Sequence, residues 1–100
     1  MTAIILPVVH SAPAGKLADV ELHFADGPFA GLKLVGFAVW ERRDGGRSVT
    51  FPSRQYSVNG ERRSYALLRP IEEAPANEEV RAVILRAFAE HEAGMVEAAG

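Results

Sequence analysis

The chain has 100 residues, 48% of them hydrophobic and 24% charged, with a formal net charge of −2. This length and composition suit one ordinary globular domain, not a disordered segment. There is no cysteine, which removes disulfides, thiolate metal sites and cysteine nucleophiles from consideration.

Residues 1–16 form an N-terminal segment with an apolar run from Ala3 to Val9, broken by Pro7, that makes a candidate edge strand. A secretory leader needs a basic start, and nothing basic precedes Lys16. No stretch approaches the ~20 apolar residues of a membrane span. The expectation is a cytoplasmic protein with no membrane partner.

A single α+β domain is expected over 17–93. In "LADVELHF" (Leu17 to Phe24), Val20, Leu22 and Phe24 alternate with Asp19, Glu21 and His23, as in a half-buried strand. The turn "ADGP" leads to "GLKLVGFAVWER", apolar on both parities: Leu34, Ala38 and Trp40 on one, Val35, Phe37 and Val39 on the other. Such a strand is central, or covered on its second face by a helix or another subunit. Gly36 in its middle suggests a bulge or a close backbone approach. Asp44-Gly45 signals a hairpin into "RSVTF", and Pro52 should interrupt pairing because it has no N–H to donate.

A second hairpin is centred on Asn59-Gly60, with arms near Arg54–Val58 and Glu61–Leu68. The last element is a helix over 78–93, with Asn77 as N-cap, Glu78 and Glu79 in its first turn, and Gly94 ending it. Val80, Val83, Ile84, Ala87, Phe88 and His91 form its core-facing stripe. Residues 94–100 read as a tail. The predicted fold is α+β: an antiparallel β-meander of four to five strands with the C-terminal helix packed on one face.

Charge is distributed unevenly. Residues 42–69 carry seven arginines against Asp44 and Glu61, a local balance of +5, whereas 71–100 balance to −5. The distribution therefore says more about partners than the total does. A two-residue turn at Asn59-Gly60 pairs Arg54 with Tyr65, Tyr56 with Arg63, and Val58 with Glu61. Alternation then places Arg54, Tyr56, Val58, Glu61, Arg63, Tyr65 and Leu67 on one face, and a four-residue loop keeps that set together. Gln55, Ser57, Arg62, Ser64 and Ala66 share the other face.

Two readings of this hairpin follow. In the structural one, Tyr56, Val58, Tyr65 and Leu67 pack inward and the arginine stems cover them, with cross-strand cation–π pairs. In the functional one, arginines meet phosphate and tyrosines stack on bases, as on single-strand binding platforms.

The stretch "DGGRSVTFPSRQYSVNGERRSYALLRPI" resembles the stage V sporulation protein G (septation regulator) family of bacteria. The resemblance rests on Asp44-Gly45, on Phe51-Pro52-Ser53-Arg54-Gln55, on Gly60-Glu61-Arg62-Arg63 and on Arg69-Pro70-Ile71. With the preceding strand and the final helix it extends over roughly Val20 to His91. It implies a small α+β fold, a sheet-based dimer, and sequence-tolerant DNA or RNA binding through the basic residues of the motif. Arg54 stands at the motif's lysine, Gln55 at its arginine, and the strand after the turn is about two residues longer.

No catalytic or metal-ligating constellation is apparent. His10, His23 and His91 lie on different predicted elements, and Ser48, Ser53, Ser57 and Ser64 lack the Gly-x-Ser-x-Gly context. The pairs Glu72/Glu73 and Glu78/Glu79 read as solvated or helix-start charges. The expectation is therefore a non-enzymatic protein with no cofactor, metal or small-molecule substrate. The leading reading is a small homodimeric regulator that binds nucleic acid through Arg47, Arg54, Tyr56, Arg62, Arg63 and Tyr65. The alternative is a homodimeric protein-interaction module whose arginine face docks an acidic partner or the acidic helix of a neighbouring copy.

Overall fold

The computed structural model describes residues 1–8, 12–72 and 76–99. His10, Glu73 and the Ala74-Pro75 part of the linker lie outside the described residues. Six strands precede one helix: β1 (Thr2–Pro7), β2 (Lys16–His23), β3 (Lys33–Glu41), β4 (Arg47–Thr50), β5 (Ser53–Val58), β6 (Glu61–Ala66) and α1 (Ala76–Ala99). Strands β1 to β4 form one antiparallel meander in chain order, and β5 and β6 form a separate two-stranded ladder. This is the α+β architecture expected, with the strands divided four and two.

Alternation along β2 puts Ala18, Val20 and Leu22 into the core at 1% exposure each. Phe37, Val39 and Val49 join them from β3 and β4, and Ile84 and Phe88 close the layer from the helix. The apolar stripe of α1 thus covers one face of the sheet, with Val80 and Leu85 packed at its margin. Truncating a side chain as fully enclosed as Ile84 costs about 2–5 kcal/mol in comparable cores.

In β3 the structure departs from simple alternation. Val20 pairs with Phe37 and Leu22 with Leu34, so Val35 and Gly36 together oppose the single residue Glu21. This β-bulge moves Leu34 onto the core face with Phe37 and Val39 and leaves Val35, Ala38 and Trp40 on the other. The parity sets read from the sequence are therefore exchanged at one position by the extra residue. Gly36 adopts φ +108, where a side chain is strained, and a Cβ there would lie 3.1 Å from Pro52 Cβ. Both readings of Gly36, bulge and close approach, hold at once.

Two tight turns follow their sequence signals. Arg42 and Gly46 close the β3–β4 loop, with the Arg42 N–H donating to the Gly46 carbonyl at 2.9 Å. The Gly46 N–H donates to Asp44 Oδ1 at 2.8 Å. That bond, with Arg42 beside it, holds the Asp44 carboxyl below its ordinary range. At the β5–β6 turn Asn59 has φ 52 and Gly60 φ 82, the pair of positive values that a two-residue hairpin of matching twist requires.

The helix differs from expectation at both ends. It begins at Ala76, so Asn77 lies in its first turn, and it continues through Gly94 to Ala99. Glycine weakens a helix by only about 1 kcal/mol and does not by itself stop one. No helix among the described residues is long and apolar enough to cross a membrane.

These positions make opposite predictions for two Gly→Ala substitutions. Gly36→Ala should lower the free energy of unfolding by about 1–3 kcal/mol, because the residue is strained and Pro52 is in the way. Gly94→Ala, helical and open to solvent, should raise it by about 0.4–1 kcal/mol. Urea unfolding with an unchanged m-value reads both; a neutral Gly36→Ala would contradict the close approach.

Candidate nucleic-acid interface

The β5–β6 ladder leaves the main sheet at Pro52. The Leu67 N–H donates to the Pro52 carbonyl at 2.8 Å, one step beyond the last ladder pair. From there the two strands pair only with each other, and 11 of their 12 residues are exposed. The hairpin is an arm with solvent on both faces, and the reading in which its tyrosines pack inward does not describe it.

The register is the expected one: Arg54 opposes Tyr65, Tyr56 opposes Arg63, and Val58 opposes Glu61. Tyr56 and Tyr65 share a face, each 40% exposed. Their rings meet edge to face, with centroids 5.7 Å apart and planes at 61°. An aromatic pair of this geometry contributes about 0.5–1.5 kcal/mol beyond the area it buries. The rings thus take each other as partners. Among the described residues the cation–π contacts belong to Lys16, Arg47 and Arg81, and none joins an arm arginine to an arm tyrosine.

This pairing leaves the guanidinium groups to the solvent. Arg63 makes a loose contact with Glu61 at 3.3 Å, both side chains more than half exposed. An exposed pair of this kind holds its partners weakly. Arg54 lies on the tyrosine face and Arg62 on the opposite one, and neither takes part in an ion pair among the described residues. Arg54, Arg62 and Arg63 against Glu61 give the arm a net charge of +2.

Arg47 is placed apart from this set. It stands on β4, where Nη2 contacts Glu92 of the helix at 3.0 Å and the guanidinium lies 5.8 Å from the Phe88 ring centroid. Its Nε is buried without a hydrogen-bond partner. Arg47 joins helix to sheet, and its charge is already matched. Glu92 was legible only as one of many helix glutamates, since nothing in sequence spacing connects it to residue 47.

On the main sheet two carboxylates are paired, Asp19 with Lys16 and Glu21 with Lys33. Glu21 accepts from His23 Nε2 at 3.0 Å and from Lys33 Nζ at 3.2 Å, and these bonds hold its carboxyl below the ordinary range. No group of three or more metal-ligating side chains is present among the described residues. An apolar cavity of about 390 Å³, lined by Leu22, Phe24, Phe29, Leu34, Leu68 and Val80 together with Met1, presents no polar surface.

No protein-family model, curated protein or solved structure matches the chain.

An arm held by one ladder and one aromatic pair should open far more readily than the sheet. Backbone amides of β5 and β6 should exchange with solvent orders of magnitude faster than those of β2 and β3. Tyr56→Ala should speed exchange in the arm further and leave the core unchanged. Equal protection across both ladders would show that the arm is packed.

Proposed function

We propose that the protein binds nucleic acid, single- or double-stranded, with low sequence specificity through the β5–β6 arm. The observation that carries this reading is the arm itself. Two exposed arginines, Arg54 and Arg63, flank an exposed tyrosine pair, and a third, Arg62, stands on the opposite face, on a projection that contributes nothing to the core. A protein gains little stability from holding such side chains on a solvent-facing hairpin.

Each residue type has a definite task in this reading. Guanidinium groups pair with phosphate oxygens through a planar fork of donors and also stack on bases. Exposed tyrosine rings stack on unpaired bases without regard to sequence. Arg54 and Arg63 contact phosphates on the tyrosine face, and Arg62 extends the contact around the edge of the arm. Arg47, matched by Glu92, is left out. The acidic helix repels the backbone, so the footprint stays on the arm. The resemblance of residues 44–71 to the septation regulator family supports the same reading, with Arg54 at the motif's basic position.

Three phosphate contacts make binding weak and steeply dependent on salt. The logarithm of the affinity should fall by about 0.7–0.9 per contact for each tenfold rise in salt. Replacing Arg62 and Arg63 together with Ala should lower affinity for every DNA and RNA sequence alike and flatten the salt slope by about two contacts. The melting temperature should hardly move, since exposed substitutions rarely cost more than about 0.5 kcal/mol. Fluorescence anisotropy with labelled oligonucleotides over a salt series reads all of this. Unchanged binding in the double variant, or none by the native protein at low salt, would instead make the arm a docking site for an acidic protein.

A further inference from the structure

One end of the core is open. The apolar cavity of about 390 Å³ has Leu22 of β2 and Leu34 of β3 on its sheet side, Val80 on its helix side, and Leu68, just beyond β6, as a further wall. Leu22 is only 1% exposed, so the cavity runs down to the enclosed core. Phe24, Phe29 and Met1 complete the lining.

The loop between β2 and β3 builds the rim. The Phe24 N–H donates to the Leu32 carbonyl at 3.0 Å, the Gly31 N–H to the Phe24 carbonyl at 2.9 Å, and the Leu32 N–H to the Phe29 carbonyl at 2.9 Å. These bonds fix the path of the loop, and with it the position of Phe29, whose ring lies 5.6 Å from that of Phe24 at 48°. Phe29 is 61% exposed and adds little to the core. A large apolar side chain held by its backbone at the edge of a cavity makes a preformed wall, and a ligand then loses little affinity to ordering the site.

The lining selects the chemistry of the occupant. It presents no polar surface, so water inside finds no partners and is displaced at a gain by an apolar group. A charged group would lose its hydration with nothing to replace it. The adjoining start of α1 adds negative charge through Glu79, while Glu78 is matched by Arg81. Arg69 borders a smaller neighbouring cleft and does not line this cavity. Size agrees as well. An apolar cavity of about 150 Å³ takes benzene, and this one falls within the range of ordinary small-ligand sites.

We infer that the cavity binds an uncharged apolar small molecule, with its buried end against Leu22, Leu34 and Val80 and its outer end against Phe29. The inference is independent of nucleic-acid binding, because no residue of β5 or β6 lines the cavity.

NMR titration of the native protein with hexanol, octanol and decanol tests it. Methyl resonances of Leu34, Leu68 and Val80 should shift, and affinity should rise about fourfold for each added methylene. Decanoate, the same chain with a charged end, should bind at least about tenfold more weakly than decanol. Phe29→Ala should weaken binding of every alcohol with an unchanged circular dichroism spectrum, and Val80→Phe, which fills the cavity, should abolish it. If Val80→Phe fails to fold, the chain-length series and Phe29→Ala still decide. Affinity that ignores chain length, decanoate binding as tightly as decanol, or a folded Phe29→Ala variant with native affinity would overturn the inference. So would a native protein that takes up no alcohol to the solubility limit, which would assign the rim to contact with another protein.

Discussion

The contact between Pro52 and Gly36 organises the rest of the molecule. Pro52 is buried, has no N–H for the ladder, and sits where a side chain on residue 36 would have to be. Pairing between β3 and β4 therefore ends at Ala38–Thr50, and the chain leaves the sheet before β5 begins. Had β5 continued alongside β3, the strands that carry Arg54, Tyr56, Arg63 and Tyr65 would have joined the main sheet. Because it leaves, the same residues pair only with each other and remain in solvent. One proline and one glycine, 16 residues apart, separate the part of the chain that builds a core from the part that presents charge.

The same bulge also shapes the sheet's second surface. By inserting one residue it turns Leu34 toward the helix and Val35 away from it. A regular strand would have placed Val35 beside Phe37 in the core. The open face thereby acquires an exposed aliphatic centre, while the local pairing of Lys16 with Asp19 and Lys33 with Glu21 keeps it neutral. The molecule thus presents two surfaces of different character, a cationic aromatic arm and a sheet face on which paired charges from β2 separate the apolar residues of β1 and β3.

Much of this was legible in the sequence where a local rule decides the outcome. Asn59-Gly60 specifies a turn with two positive φ values, and the turn length then sets the register of every pair in the arm. Tyr56 and Tyr65 consequently share a face whether or not the arm packs against anything. The strand alternation of β2 and the helix stripe through Ile84 and Phe88 were equally readable, since one-sided burial imposes their periods. What escaped depends on distance in space. A bulge shifts parity by one residue, and composition marks where it occurs but not which side chains it turns over. The tyrosines' choice of each other over the arginines, and the capture of Arg47 by Glu92 across 45 residues, are decided by tertiary packing. The helix passes through Gly94 because a single glycine is a weak signal against the preceding turns.

The central claim is that the arm is the surface that nucleic acid meets. Chemical-shift mapping of the native protein with a short single-stranded oligonucleotide at low salt tests it most directly. The account predicts that perturbed amides cluster between Ser53 and Ala66, together with the arginine side-chain resonances of that segment, and that α1 and the open face of β1–β3 stay unmoved. Perturbations centred on the open sheet face or the helix, or none at all, would contradict it.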